Sequence, residues 1–185
     1  MRIIAGTCRG RRLASLGAGD AAAQLRPTSD RVRESLFSLL IAGHDDPVKG
    51  AQVLDLFAGT GALGLEALSR GAAQARFVES GRVALGLLQQ NIALCRMEDR
   101  AQVIRRDARR PGPAPGAHDL VFLDPPYGRA LGEAALAAAL EGGWIAPGAL
   151  VVWEESAPIA PPAPLALLDQ RRYGDTTLSI LRHRA

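Results

Sequence analysis

The chain has 185 residues, 48% of them hydrophobic, and a formal net charge of only +3, which fits one globular domain with a sizeable core. Its longest run without a charged side chain is 13 residues, short of the roughly 18 a membrane helix needs, and the opening MRIIAGTCRG lacks the apolar block of a signal peptide; a cytoplasmic location is expected. Cys8 and Cys95 are far apart, and neither they nor His44, His118 and His183 show metal-ligand spacing, so free thiols and no metal are expected.

Residues 2–16, RIIAGTCRGRRLASL, set short apolar pairs and arginines around Gly10 and predict a β-hairpin arm, followed by a GAGDAAAQ linker. The arm carries the basic character. Residues 1–33 hold seven arginines against Asp20 and Asp30, a net of +5 that leaves −2 for everything after. Such a cluster of like charge is a common nucleic-acid contact. From Asp30 onward Val32, Leu36, Leu39 and Leu40 recur at helical spacing, with Thr28, Ser29 or Asp30 available as the N-cap. Strand, glycine turn and helix then alternate: VLDLF and a helix over 62–70, ARFVE and a helix over 82–94, QVIRRD, DLVFLD and a helix over 131–140, then ALVVWEE. This rhythm predicts an α/β fold with a mostly parallel sheet covered on both faces. LALLDQRRY and TLSILRH, separated by Gly174 and Asp175, predict an antiparallel C-terminal strand pair, which brings the sheet to seven strands. The Pro/Ala-rich pieces PGPAPGA and APIAPPAP read as loops without chemistry. The expected division is a basic arm and linker over 1–28 and the α/β domain over 29–185.

The loop Phe57-Ala58-Gly59-Thr60-Gly61 follows the first core strand and opens a helix, the place where ligands of open α/β sheets bind. Its glycines permit the bend and let a ligand lie against the main chain. The pattern suits a dinucleotide or S-adenosylmethionine equally. Glu79, at the end of the second strand, is placed to bind the two ribose hydroxyls that both cofactors carry. Asp55 separates them: an acceptor at the end of the first strand favours the cationic amino group of a methionine moiety and opposes a pyrophosphate. Asp107, ending the third strand, can accept from an adenine amino group.

VFLDPPYG, residues 121–128, follows a buried-looking strand with an acid, two prolines and an aromatic ring. Each proline fixes φ and removes a backbone donor, leaving carbonyls free to accept. An exocyclic amine on an aromatic base is a poor nucleophile, because its lone pair is delocalised into the ring. Asp124 and the Pro125 carbonyl can each accept one N–H of such an amine, with Pro126 stiffening the segment, while Tyr127 stacks on the base. Adenine N6, cytosine N4 and guanine N2 all meet that description, and in a duplex each must be flipped out or taken from a single strand.

RGRRL (9–13), RPTSDRVRESLF (26–37), VLDLFAGTGALGLEALSRGA (53–72), VES (78–80), Asn91, DPPY and RRYGDTTLS together resemble the bacterial RsmD family of 16S ribosomal RNA guanine-N2 methyltransferases, over nearly the whole chain. The resemblance implies a Rossmann-like class I methyltransferase fold and methylation of the guanine conventionally numbered 966, with S-adenosylmethionine as cofactor. It implies that Asp55, Phe57, Gly59, Thr60, Gly61, Glu79, Ser80, Asp107 and Ala108 hold the cofactor, and that Asp124, Pro125, Pro126 and Tyr127 hold the base. RNA contacts are expected from Arg9, Arg11, Arg12, Arg26, Arg31 and Arg33. The implied partner is 16S ribosomal RNA, free or within a partly assembled small subunit, with the protein acting as a monomer. Cys8 departs from the tryptophan that family members often carry before RGR, and the proline-rich loop over 111–117 is a second departure. The competing readings are a DNA adenine-N6 methyltransferase, disfavoured by RPTSDRVRE and the lack of a separate target-recognition domain, and an NAD-binding oxidoreductase, disfavoured by Asp55 and DPPY. A non-catalytic nucleic-acid-binding module is a third, disfavoured by the intact Asp124 and Tyr127.

Overall fold

Ser29 starts the first helix: its side-chain oxygen accepts from the Val32 N–H at 3.3 Å, satisfying one of the donors a helix start leaves open. The helix, α1, runs Asp30–Gly43 and turns Arg33, Leu36, Phe37 and Leu40 inward. It belongs to a computed structural model that describes residues 1–15, 29–126 and 130–184. The predicted linker, Arg26 and Tyr127 lie outside the described residues.

The remaining elements follow the predicted alternation. They are β1 (Gln52–Leu56), α2 (Ala62–Ser69), β2 (Gln74–Glu79), α3 (Arg82–Cys95), β3 (Ala101–Arg105), β4 (His118–Leu123), α4 (Leu131–Glu141), β5 (Ile145–Glu155), β6 (Leu165–Tyr173) and β7 (Thr176–His183). They build a seven-stranded sheet in the order β3-β2-β1-β4-β5-β7-β6. β1 to β5 are parallel, and β7 runs antiparallel to both β5 and β6. Gly174, at φ 61°, provides the tight link between the last two strands.

Alternation along each strand divides the core in two. Val53, Phe77, Leu120 and Phe122 face one side, with Leu36, Leu40, Leu68, Leu88 and Ile92 of α1, α2 and α3. Leu54, Leu56, Val78, Val121 and Leu123 face the other, against Leu136 of α4, Trp144 and Trp153. The sheet is therefore covered on both faces, which is why its central strands are mostly apolar on both sides. No helix among the described residues is long and apolar enough to cross a membrane.

The arm folds back on itself, although only Arg2 and Arg12 form an antiparallel bridge. The next donors, the Ile4 and Ala5 N–H groups, go instead to the buried carboxylate of Glu66 on α2, at 2.7 and 3.0 Å. Cys8 N–H donates to Ser69 Oγ at 2.9 Å, and Ile3 and Leu13 join the hydrophobic cluster of α1, α2 and α3. The expected hairpin is thus present, closed by the Ile3 N–H donating to the Arg11 carbonyl at 3.0 Å and the Leu13 N–H to the Met1 carbonyl at 3.2 Å, and pinned to a helix.

Candidate active site

β1 and β4 are neighbours in the middle of the sheet although far apart in sequence, and the crevice outside their carboxyl ends is where open α/β sheets hold ligands. Leu56 pairs with Leu123, so Phe57 and Asp124 leave the sheet side by side. Phe57 takes φ 60°, a costly conformation for a bulky residue, and swings the chain into the glycine loop. The neighbouring strand secures this loop. Ala58 N–H donates to the Val78 carbonyl at 3.1 Å, and Gly59 N–H to Glu79 Oε2 at 2.8 Å. Gly61 sits at φ 80° as the N-cap of α2, and a Cβ there would collide with Leu88 and press on Leu65 and Phe77.

Three acids line the carboxyl edge of the sheet. Asp55 is buried, and its Oδ2 accepts from Gly64 N–H at 2.9 Å. Burial pushes its carboxyl up from 3.8 to about 8, with a smaller push from Glu79, while the Gly64 bond opposes the shift. Glu79 is held more fully, its other oxygen accepting from Ser80 and Gly81 N–H at 2.8 and 2.6 Å. Asp107 accepts from Arg109, whose Nη2 lies 2.6 Å away, and this bond is the main reason its carboxyl sits below the ordinary range. Ala108 is buried beside it, whereas Ser80 is exposed. Past β4, Asp124 is partly buried and Pro125 buried.

The raised carboxyl of Asp55 has a measurable signature. Between the unfolded value of 3.8 and about 8 the folded chain keeps a proton that the unfolded chain has lost, so this group lowers stability as pH rises through that window. Asp55→Asn is expected to stabilise the ligand-free protein above pH about 8, with the gain shrinking to nothing toward pH about 4. Denaturant titrations of both proteins across that range check it; a pH-independent difference contradicts the assignment.

The basic residues divide. Arg9, Arg11, Arg12 and Arg31 are exposed. Arg33 corrects the expectation of a surface contact: it is fully buried, its Nη2 donating to Asp30 Oδ1 and to the Arg2 carbonyl, each at 2.6 Å. It holds the arm against α1 and cannot reach a phosphate. Four further residues carry weight that the sequence motifs did not assign: Glu66 and Ser69, which dock the arm, Asn91, which bonds both arm and glycine loop, and Arg109 over Asp107. Glu66 and Asn91 could have been found as polar residues on otherwise apolar helical faces.

A family model described as Conserved hypothetical protein 95 matches residues 1–182. Ribosomal RNA small subunit methyltransferase D of Haemophilus influenzae is 36% identical over 181 residues, covering 94% of this chain and 89% of the relative. The protein of the same name from Escherichia coli K12 is 42% identical over 155 residues, covering 83% of this chain and 74% of the relative. The solved structure of yhhF from Escherichia coli superposes with a TM-score of 0.82 at 37% identity, covering 100% of this chain and 98% of that one. Matched along nearly its whole length in sequence and in fold, the chain belongs to the ribosomal RNA small subunit methyltransferase D family, RsmD.

Proposed function

We propose that this protein transfers the methyl group of S-adenosylmethionine to the exocyclic N2 amine of guanine 966 in 16S ribosomal RNA. The observation that carries the reading is the row of acids at one sheet edge, Asp55, Glu79 and Asp107, beside a glycine loop and next to the Asp124-Pro125-Pro126 exit from β4. The residues fit the cofactor. A buried carboxyl raised to about 8 gains its charge most readily beside a cationic ligand group, and S-adenosylmethionine has two, whereas the pyrophosphate of a dinucleotide would oppose that charge on Asp55. Glu79 keeps one acceptor site, on Oε2, for a ribose hydroxyl, whereas Arg109 fills both oxygens of Asp107, so an adenine amino group there takes the place of part of that contact.

When bound, the cofactor supplies an electrophilic methyl carbon on a positively charged sulfur. The chain's part is to aim the amine at it. Asp124 and the Pro125 carbonyl accept its two N–H bonds and so favour a pyramidal nitrogen, and Asp124 is the base nearest to the proton the nitrogen sheds. Tyr127 stacks on the guanine. The test is to incubate the protein with labelled S-adenosylmethionine and small ribosomal subunits from a strain lacking it, then map the label. Label on N2 of that guanine is expected; label on adenine or cytosine, or none, refutes the proposal.

The exposed Arg9, Arg11 and Arg12 then contact RNA phosphates, together with Arg31 and Arg26. Each neutralised single-strand phosphate contributes a slope of about −0.7 to log affinity against log salt. Replacing Arg9, Arg11 and Arg12 together with alanine is expected to flatten the slope by up to roughly 2, with cofactor affinity unchanged. Filter binding at several salt concentrations checks it, and an unaltered slope leaves the arm without this role.

A further inference from the structure

Asn91 lies on the inner face of α3 with its side chain completely buried. Its Oδ1 accepts from the Ala14 N–H at 2.7 Å, and its Nδ2 donates to the Ala14 carbonyl at 3.1 Å and the Thr60 carbonyl at 2.9 Å. The orientation of the amide is fixed by these partners, because the flipped form would set its oxygen against two carbonyls and its NH2 against an N–H. One side chain therefore joins two segments of different duty. Ala14 ends the arm that carries Arg9, Arg11 and Arg12, and Thr60 stands between the two glycines of the cofactor loop. In a buried site, pulling either segment away strands polar groups out of reach of water, so the two positions are energetically tied.

From this geometry we infer that Asn91 is a positioning residue that couples RNA binding on the arm to cofactor binding on the glycine loop. The inference rests on the methyltransferase reading above. RNA drawn to the arm fixes Ala14, Ala14 fixes the Asn91 amide, and the amide fixes the Thr60 carbonyl and with it the loop. Other ties of the arm, to Glu66 and Ser69, end on the α2 helix, and the one other contact with the loop, Thr60 Oγ1 donating to Met1 Sδ at 3.8 Å, is a weak bond to sulfur that leaves the loop carbonyl untouched. Coupling is reciprocal: whatever factor RNA adds to cofactor affinity, the cofactor adds to RNA affinity.

The experiment measures equilibrium binding of S-adenosylmethionine to the full chain, alone and with saturating small ribosomal subunits that lack the methyl group. Wild type is expected to bind the cofactor roughly tenfold tighter with subunits present, within the usual 5- to 150-fold range of such couplings. Asn91→Ala should bring that factor to about one. Should Asn91→Ala not fold, Ala14→Pro decides, since it deletes the arm's N–H donor and leaves the core intact. A purely structural Asn91 would lower the melting temperature of the variants yet leave the factor at its wild-type value, and that result overturns the inference, as does a wild-type factor of one. A wild type that binds neither cofactor nor subunits defeats the methyltransferase reading itself.

Discussion

Asp124→Ala is expected to slow methyl transfer by at least about a hundredfold while leaving S-adenosylmethionine affinity within a few-fold of wild type. Asp124 leaves β4 next to Phe57, one strand over from the glycine loop, and it is separated from Glu79 by the width of β1 and from Asp107 by that of β1 and β2. Its removal takes away the acceptor that aims the amine, not the contacts that hold the cofactor. Asp124→Asn keeps an oxygen that accepts an N–H and should retain part of the rate. If the ring of Tyr127 stacks on the base as proposed, Tyr127→Phe should be mild and Tyr127→Ala should lose about 1 to 3 kcal/mol of base binding. Single-turnover rates, with cofactor affinity measured in parallel, decide the matter: a wild-type rate for Asp124→Ala would remove DPPY from the chemistry.

Gly61→Val and Glu79→Ala are expected to show the opposite signature, a loss of cofactor affinity. A valine at Gly61 meets two obstacles, a φ of 80° that β-branched side chains avoid and the methyl of Leu88 where its Cβ must go. The loop has to move, and the cofactor's bed with it. Glu79→Ala removes a carboxylate that accepts three backbone N–H groups, those of Gly59, Ser80 and Gly81. Each charged hydrogen bond contributes about 1.5 to 3 kcal/mol, so loss of even one to the ribose lowers affinity roughly ten- to a hundredfold, and slackening of the loop adds to it. Calorimetric titration reads both variants; unchanged affinity in Glu79→Ala would exclude it from the cofactor site.

Most of the fold was legible because its signals are local. Apolar runs bounded by glycine turns placed β2 and α3 to within a residue or so of their observed ends. β5 began earlier than ALVVWEE suggested, since Pro147 and Gly148 look like a loop; in fact His118 pairs with Ile145 and Leu120 with Leu150, and the strand absorbs the extra residues as a register shift. Arg33 was read by its charge as a surface residue. Its spacing from Leu36, Phe37 and Leu40 put it on the buried stripe all along, and only the compensating Asp30 and Arg2 carbonyl make such burial tolerable. That Asp55, Glu79 and Asp107 share one edge was legible for a related reason: in a parallel sheet each strand's end falls at the same edge, so position in the chain becomes position in space. The docking of the arm was not, because nothing within the first 15 residues announces that Glu66 and Asn91 will take its donors.

That docking also sets an order of events during synthesis. The arm precedes its receptors: Arg33 follows Arg2 by 31 residues, while the partners on α2 and α3 lie 61 to 77 residues further along the chain. At about 5 to 20 residues per second, translation leaves several seconds in which the arm has α1 to pack against but not Glu66, Ser69 or Asn91 to take its donors. A nascent chain that stops short of residue 91 therefore holds an arm whose tie to the glycine loop is still unmade.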